Sequence, residues 1–128
     1  MNYQLNQEVQ SLEIEVDKYC SYYYAGASGD FNPIHIDNEF AKMVGLGGII
    51  LQGLCTMAFT YRGVMGGKDP SKIKKLRVRF RQVVRPQDKL TIKGKVMSVE
   101  NNLTTVDLLV LNQKGEQVIT NACAIMEN

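Results

Sequence analysis

Apolar and polar residues alternate over residues 12–16, with Leu12, Ile14 and Val16 on one side and Glu13 and Glu15 on the other. That period of two predicts a strand half-buried on one face. Asp17 is placed to cap a short helix that runs through Ala25 and is closed by Gly26. Residues 28–37 carry Gly, Asp, Asn and Pro and read as a loop. A short helix over residues 38–44 follows, ended by Gly45, Gly47 and Gly48. From about Ile49 to Met65 the chain is apolar on nearly every side. That stretch is too long for one strand, and as a helix it must be buried all round. Gly66, Gly67 and Asp69-Pro70 supply the next break.

The C-terminal half returns to a period of two. Leu76, Val78 and Phe80 alternate with Lys75, Arg77, Arg79 and Arg81, and Leu90, Ile92, Val96 and Val99 continue the pattern. Residues 103–111 and 118–126 complete it, with turn-forming residues at 85–88, 100–102 and 112–115. The order is one strand, helices, then about four strands in succession, an α+β arrangement. An antiparallel meander wrapped around one helix accounts for that helix being apolar on all sides, provided the first strand pairs into the same sheet. No repeat, low-complexity tract or linker divides residues 1–128, so one domain is expected.

Composition narrows the class. Hydrophobic residues make up 45% and charged residues 22% of 128, as in globular proteins with a real core. A net charge of +2 is too small an excess to argue for nucleic acid as partner. Residues 1–10 are polar, without the basic start and apolar block of a secretory signal. The longest apolar stretch, around residues 44–59, is interrupted by Gln52 and four glycines and reads as a buried segment, not a membrane span. Cys20, Cys55 and Cys123 form no CxxC pair, and with a single histidine they are too few for a tetrahedral zinc site. Read as reduced small hydrophobes, they suit a cytoplasmic compartment.

One segment could do chemistry: Ser28-Gly29-Asp30-Phe31-Asn32-Pro33-Ile34-His35. It holds the only histidine, with a carboxylate five residues before it. A helix would set these on different faces, but a proline-containing loop can fold them toward one point, and an Asp with a His makes an acid–base pair. By spacing alone, a turn with a partly buried histidine is the more economical reading. A second candidate is Gln52-Gly53 at the head of the apolar helix. The first N–H groups of a helix lack internal partners and carry partial positive charge, and glycine allows close approach, so an enolate or thioester oxygen could be held there. Relief of crowding is the simpler role for Gly53 taken alone. A third candidate, the basic run over residues 72–81, could bind phosphates of nucleic acid or of coenzyme A, but an alternating strand with a solvated face explains most of its charges. The run Tyr22-Tyr23-Tyr24 is read as helix packing.

The segment Tyr24-Ala25-Gly26-Ala27-Ser28-Gly29-Asp30-Phe31-Asn32-Pro33-Ile34-His35-Ile36-Asp37, then Phe40-Ala41 and Gly45-Leu46, resembles the signature of the MaoC-like dehydratases, which include the (R)-specific enoyl-CoA hydratases, or hydratase 2. Leu51-Gln52-Gly53-Leu54-Cys55-Thr56 resembles the start of that family's central helix. Val78-Arg79-Phe80-Arg81-Gln82-Val83-Val84-Arg85-Pro86, with Asp88, resembles the strand after it. The resemblance runs in order over almost the whole chain, and the specific Gly-Asp-x-Asn-Pro-x-His block reverses the preference for a mere turn.

What the resemblance implies is a hot-dog fold, an antiparallel sheet around a long central helix, and a homodimer or higher homo-oligomer with the active site at the subunit interface. Asp30 and His35 would be the catalytic pair that holds and activates water. Asn32 would orient them, and Asn32, Gln52 and the Gly53 N–H would line the substrate, the last binding the thioester oxygen. The implied reaction is reversible hydration of trans-2-enoyl thioesters of coenzyme A or acyl carrier protein to (3R)-3-hydroxyacyl thioesters, with no metal or redox cofactor. Many relatives carry His where this chain has Gln52, which bears on the polarity of the pocket and hence on the substrate. Two rivals remain: a hot-dog acyl-CoA thioesterase, and a non-catalytic subunit whose partner chain does the chemistry.

Overall fold

The alternating segments put their apolar sides on one face of a single antiparallel sheet, except at Val99, which is 40% exposed because the register shift at Val96/Ser98 moves it out of the expected pattern. The computed structural model describes residues 3–128, the Gln10 side chain excepted. Met1 and Asn2, at the start of the segment read as polar, lie outside them. Strands β1 (Glu8–Glu15), β2 (Ile73–Phe80), β3 (Lys89–Glu100), β4 (Leu103–Leu111) and β5 (Gln117–Glu127) lie in the order β1-β3-β4-β5-β2, so β1 and β2 are the two edges. Every neighbouring pair is antiparallel. Between β1 and β2 come the helices α1 (Cys20–Ser28), α2 (Asn38–Met43) and α3 (Gly53–Met65). This is the hot-dog arrangement, with α3 held against the inner face of the sheet.

The strand periodicity transfers directly to burial. In β3 and β4, Leu90, Ile92, Val96, Val106, Leu108 and Val110 are buried, while Lys93, Lys95 and Asp107 face out. Register shifts in β1 at Val9/Leu12 and in β3 at Val96/Ser98 bend the sheet, as bulges do, so that it can wrap a helix. Asn101 and Asn102, both with positive φ, form the tight β3–β4 turn between Glu100 and Leu103, the twist-compatible hairpin geometry that asparagine tolerates. The remaining turns fall at 85–88 and 112–115, where the sequence places them: Arg85 N–H donates to Asp88 Oδ2 at 2.9 Å and Gly115 N–H to the Asn112 carbonyl at 3.0 Å.

Four expectations need correction. β1 begins at Glu8, four residues before the alternation becomes visible, because a bulge interrupts the period there. Helix α1 starts at Cys20, with Asp17 accepting from the N–H groups of Tyr19 and Cys20 ahead of it. It runs past Gly26 to Ser28, and Gly29 closes it. Gly29 has φ of 79° and donates its N–H to the Ala25 carbonyl, a left-handed terminus that glycine adopts without penalty. Helix α3 begins only at Gly53. The backbone before it is recruited elsewhere: Ile50 N–H donates to the Ile34 carbonyl at 3.0 Å and Leu51 N–H to the Val84 carbonyl at 2.7 Å, which holds this stretch extended. Nor is α3 covered on every side. Cys55, Thr56, Thr60, Gly63 and Val64 are buried against the sheet, whereas Leu54 is 62% exposed and shares an outward stripe with Ala58 and Arg62. Gly63 lets the helix approach closely, since a Cβ there would sit 2.8 Å from Ile92 Cγ2.

Candidate active site

The loop after α1 is built by short-range hydrogen bonds. Ser28 Oγ donates to the Tyr24 carbonyl at 2.7 Å and accepts from Asp30 N–H at 3.1 Å, which turns the chain out of the helix. Asp30 Oδ1 accepts from Asn32 N–H, and Asn32 Oδ1 from Ile34 N–H, both at 3.3 Å. Pro33 pre-sets the backbone for the 3-10 turn Pro33–His35, in which the Asn32 carbonyl accepts from His35 N–H at 2.9 Å. Asn32 is therefore the hinge pin between Asp30 and His35, bonded toward both.

His35 is buried, 7% exposed, and its Nδ1 lies 2.8 Å from the Ile50 carbonyl oxygen. A carbonyl can only accept, so Nδ1 carries the proton and a neutral ring presents a bare Nε2. That Nε2 faces Asp30 Oδ2 at 3.8 Å, beyond a direct hydrogen bond. Two acceptors thus converge at a spacing that one water molecule can bridge from the side, donating one O–H to each. Asp30 is open to solvent, with 47% of its side chain exposed.

The same extended stretch that anchors His35 leads into α3. The first bond into the helix from a backbone N–H is that of Cys55 to the Gln52 carbonyl. Among the described residues, the Gly53 and Leu54 N–H groups have no partner, as helix geometry dictates. A Cβ on Gly53 would lie 3.3 Å from two ring carbons of Phe80, at the end of β2. Phe80 is half exposed. Sequence reasoning missed it as a neighbour of the helix start, although its position in an alternating strand gave its face.

Gln52 is only 1% exposed, and its Nε2 donates to the Ser21 carbonyl of α1 at 2.8 Å. Its Oε1 and the Ser21 Oγ are buried without a partner. Its amide ties the start of α3 to α1. Of the tyrosines, Tyr24 packs against the core as the helix-packing reading expects, while Tyr22 and Tyr23 are 40% and 70% exposed. Burial pushes the Tyr24 phenol above its ordinary value, with Cys55 and Asp30 adding to the shift.

In the basic run, Lys72 and Lys74 reach Glu127 at 3.6 and 3.3 Å, and Lys75, Arg77, Arg79 and Arg81 stand in solvent. A concavity of about 830 Å³ lies on the outer face of the sheet between Lys93, Lys95 and Asp107, and Asp30 and His35 do not line it. The candidate site is distinguished by convergent polar atoms and not by the size of a cavity. No group of three or more His, Cys, Asp or Glu side chains suited to a metal occurs among the described residues, and no helix is long and apolar enough to cross a membrane.

Known proteins are similar to this chain in sequence and in fold. The probable enoyl-CoA hydratase 2 of Dictyostelium discoideum is 36% identical over 107 residues, 81% of this chain and 35% of that protein. The peroxisomal multifunctional enzyme type 2 of Mus musculus is 39% identical over 98 residues, 74% of this chain and 13% of that protein. The chain thus spans about a third or less of the length of these relatives. An (R)-hydratase from A. caviae involved in PHA biosynthesis superposes with a TM-score of 0.84 at 21% identity, covering 98% of both chains. The unliganded R-hydratase PhaJ1 of Pseudomonas aeruginosa gives 0.83 at 22%, covering 98% of this chain and 82% of that one. At these identities the likeness speaks for the fold. Residues 2–118 match the family model of the MaoC-like domain, and the chain belongs to that family.

Proposed function

We propose that this chain catalyses the reversible addition of water across trans-2-enoyl thioesters of coenzyme A or acyl carrier protein, giving (3R)-3-hydroxyacyl thioesters. The observation that carries the reading is the approach of two acceptors, Asp30 Oδ2 and the bare Nε2 of His35, to within 3.8 Å of each other. A water there donates to both. Its oxygen adds to C3, one proton passes to the Asp30/His35 pair, and the pair returns a proton to C2, so the elements of one water end on the substrate. The thioester carbonyl makes C3 electrophilic, and the charge that develops on its oxygen is met by the Gly53 N–H at the positive end of α3. Asn32 keeps the pair in register. The name of the relative from Dictyostelium, a probable enoyl-CoA hydratase 2, supports the same chemistry. No step requires a metal or redox cofactor.

A homodimer forms part of this reading. β2 is an edge strand with unpaired backbone, and the outward stripe of α3 exposes Leu54, so a second copy has both an edge and an apolar flank to cover. The three thiols are free, as suits the cytoplasmic location included in the proposal. The test uses the purified chain alone with enoyl-CoA and enoyl-carrier-protein substrates of graded length. Loss of the conjugated-thioester absorbance without release of free thiol is expected. Thiol release in its place establishes a thioesterase, and neither signal establishes a non-catalytic subunit.

A further inference from the structure

Cys20 and Cys55 are 35 positions apart in sequence, yet their sulfur atoms lie 3.8 Å apart, where the start of α1 meets the first turn of α3. The junction is already tied once, by Gln52 Nε2 to the carbonyl of Ser21, the residue after Cys20. Cys20 is half-buried and Cys55 buried. A disulfide requires sulfur atoms about 2.0 Å apart, so closing the pair draws the two elements together by less than about 2 Å at the sulfurs.

We infer that Cys20 and Cys55 are a modification site, forming a reversible intramolecular disulfide by exchange with a low-molecular-weight disulfide and thereby shifting the first turn of α3. The thiolate of Cys20, the more exposed sulfur, attacks one sulfur of the reagent, RSSR. Cys20–S–S–R forms and RS⁻ leaves. The Cys55 thiolate then attacks the Cys20 sulfur and expels the second RS⁻. The protein loses two protons and two electrons, and RSSR gains them as two RSH. Burial pushes the Cys55 thiol up to about 12, with the neighbouring Cys20 adding to the shift. Burial also raises Cys20. Thiolate is scarce at both positions, so the exchange is slow. Once Cys20 carries the mixed disulfide, its sulfur stands within 3.8 Å of Cys55, which makes the second step intramolecular. Gly53 stands two residues before Cys55 in the turn that moves. The consequence for turnover rests on the hydratase reading, whereas the cross-link does not.

The experiment exposes the reduced chain to oxidised glutathione, blocks remaining thiols with iodoacetamide, and digests with trypsin, which cuts after Lys18, Lys42 and Arg62. The expected product is lighter by about 2 Da before alkylation, keeps only Cys123 free, and yields residues 19–42 joined to residues 43–62. Hydration should fall at least about tenfold in the oxidised chain, recover with reductant, and stay constant in Cys20→Ala treated the same way. Three alkylated cysteines after prolonged exposure, or glutathione left on Cys20 without the cross-link, overturn the disulfide. A complete cross-link with unchanged turnover overturns the coupling to Gly53. A reduced chain without hydration activity that still forms the cross-link sinks the hydratase reading and leaves the thiol site standing.

Discussion

Gly53 can be tested by adding a single methyl group. In Gly53→Ala the new Cβ would lie 3.3 Å from two Phe80 ring carbons and 3.5 Å from a third. The ring must therefore give by a few tenths of an ångström. Phe80 is 50% exposed at the end of the β2 edge strand, so its ring lies outside the packed core of the chain and can shift without opening that core. The cost should fall below the roughly 1–3 kcal/mol of a true core overpacking, at about 1 kcal/mol or less. For a domain of this size that lowers Tm by about 4 °C at most. The effect on catalysis is of another order if the Gly53 N–H receives the thioester oxygen. The methyl group crowds the oxygen's approach, and losing one oxyanion donor costs about 3 kcal/mol, a rate factor on the order of a hundred. Tm and kcat/KM measured on one preparation separate the roles. A large rate loss at nearly constant Tm is predicted. A variant that melts much earlier yet turns over normally at low temperature makes Gly53 a packing residue, and the reasoning fails.

Gly63→Ala should do the opposite, because its Cβ would meet Ile92 Cγ2 at 2.8 Å and Cβ at 3.1 Å inside the sheet. A loss of about 1–3 kcal/mol in chemical denaturation is expected, with positive coupling to Ile92→Ala in a double-mutant cycle; additive effects would contradict the close approach. Gln52→Ala should cost roughly 2–4 kcal/mol by leaving a cavity and removing the bond that joins the start of α3 to the Ser21 carbonyl of α1, and a change within 0.5 kcal/mol, about the scatter of a surface substitution, would deny the tie. Sedimentation at micromolar concentration should show a dimer, and a 14.4 kDa species alone would refute the second copy.

What could be read from the sequence follows the range of the interactions. The strands were legible because Leu90, Ile92, Val106 and Val110 alternate with solvent-facing residues, and Asn101-Asn102 forms its turn from its own backbone preferences. The motif made Asp30 and His35 stand out, since the bonds among Ser28, Asp30, Asn32 and Ile34 span only a few residues. The sequence pointed to Gly26 as the helix terminator, whereas Gly29 takes the positive φ, because the helix continues through Gly26 to Ser28. The extended stretch before α3 was hidden because its partners, Ile34 and Val84, are distant in sequence. The same holds for the Ile50 carbonyl that sets the His35 tautomer, the Phe80 ring over Gly53, and the contact between Cys20 and Cys55. The outward stripe of α3 escaped notice because Leu54 and Ala58 are apolar whether or not anything covers them.

The central claim is that Asp30 and His35 together activate water, and one comparison tests it most directly. Asp30→Asn and His35→Ala are purified beside the parent chain, their folds are compared by circular dichroism and Tm, and hydration of a trans-2-enoyl-CoA is followed by its absorbance. Each folded variant is predicted to lose about 100- to 10,000-fold in rate, the usual contribution of a general acid–base group. Near-full turnover by either folded variant would contradict the account.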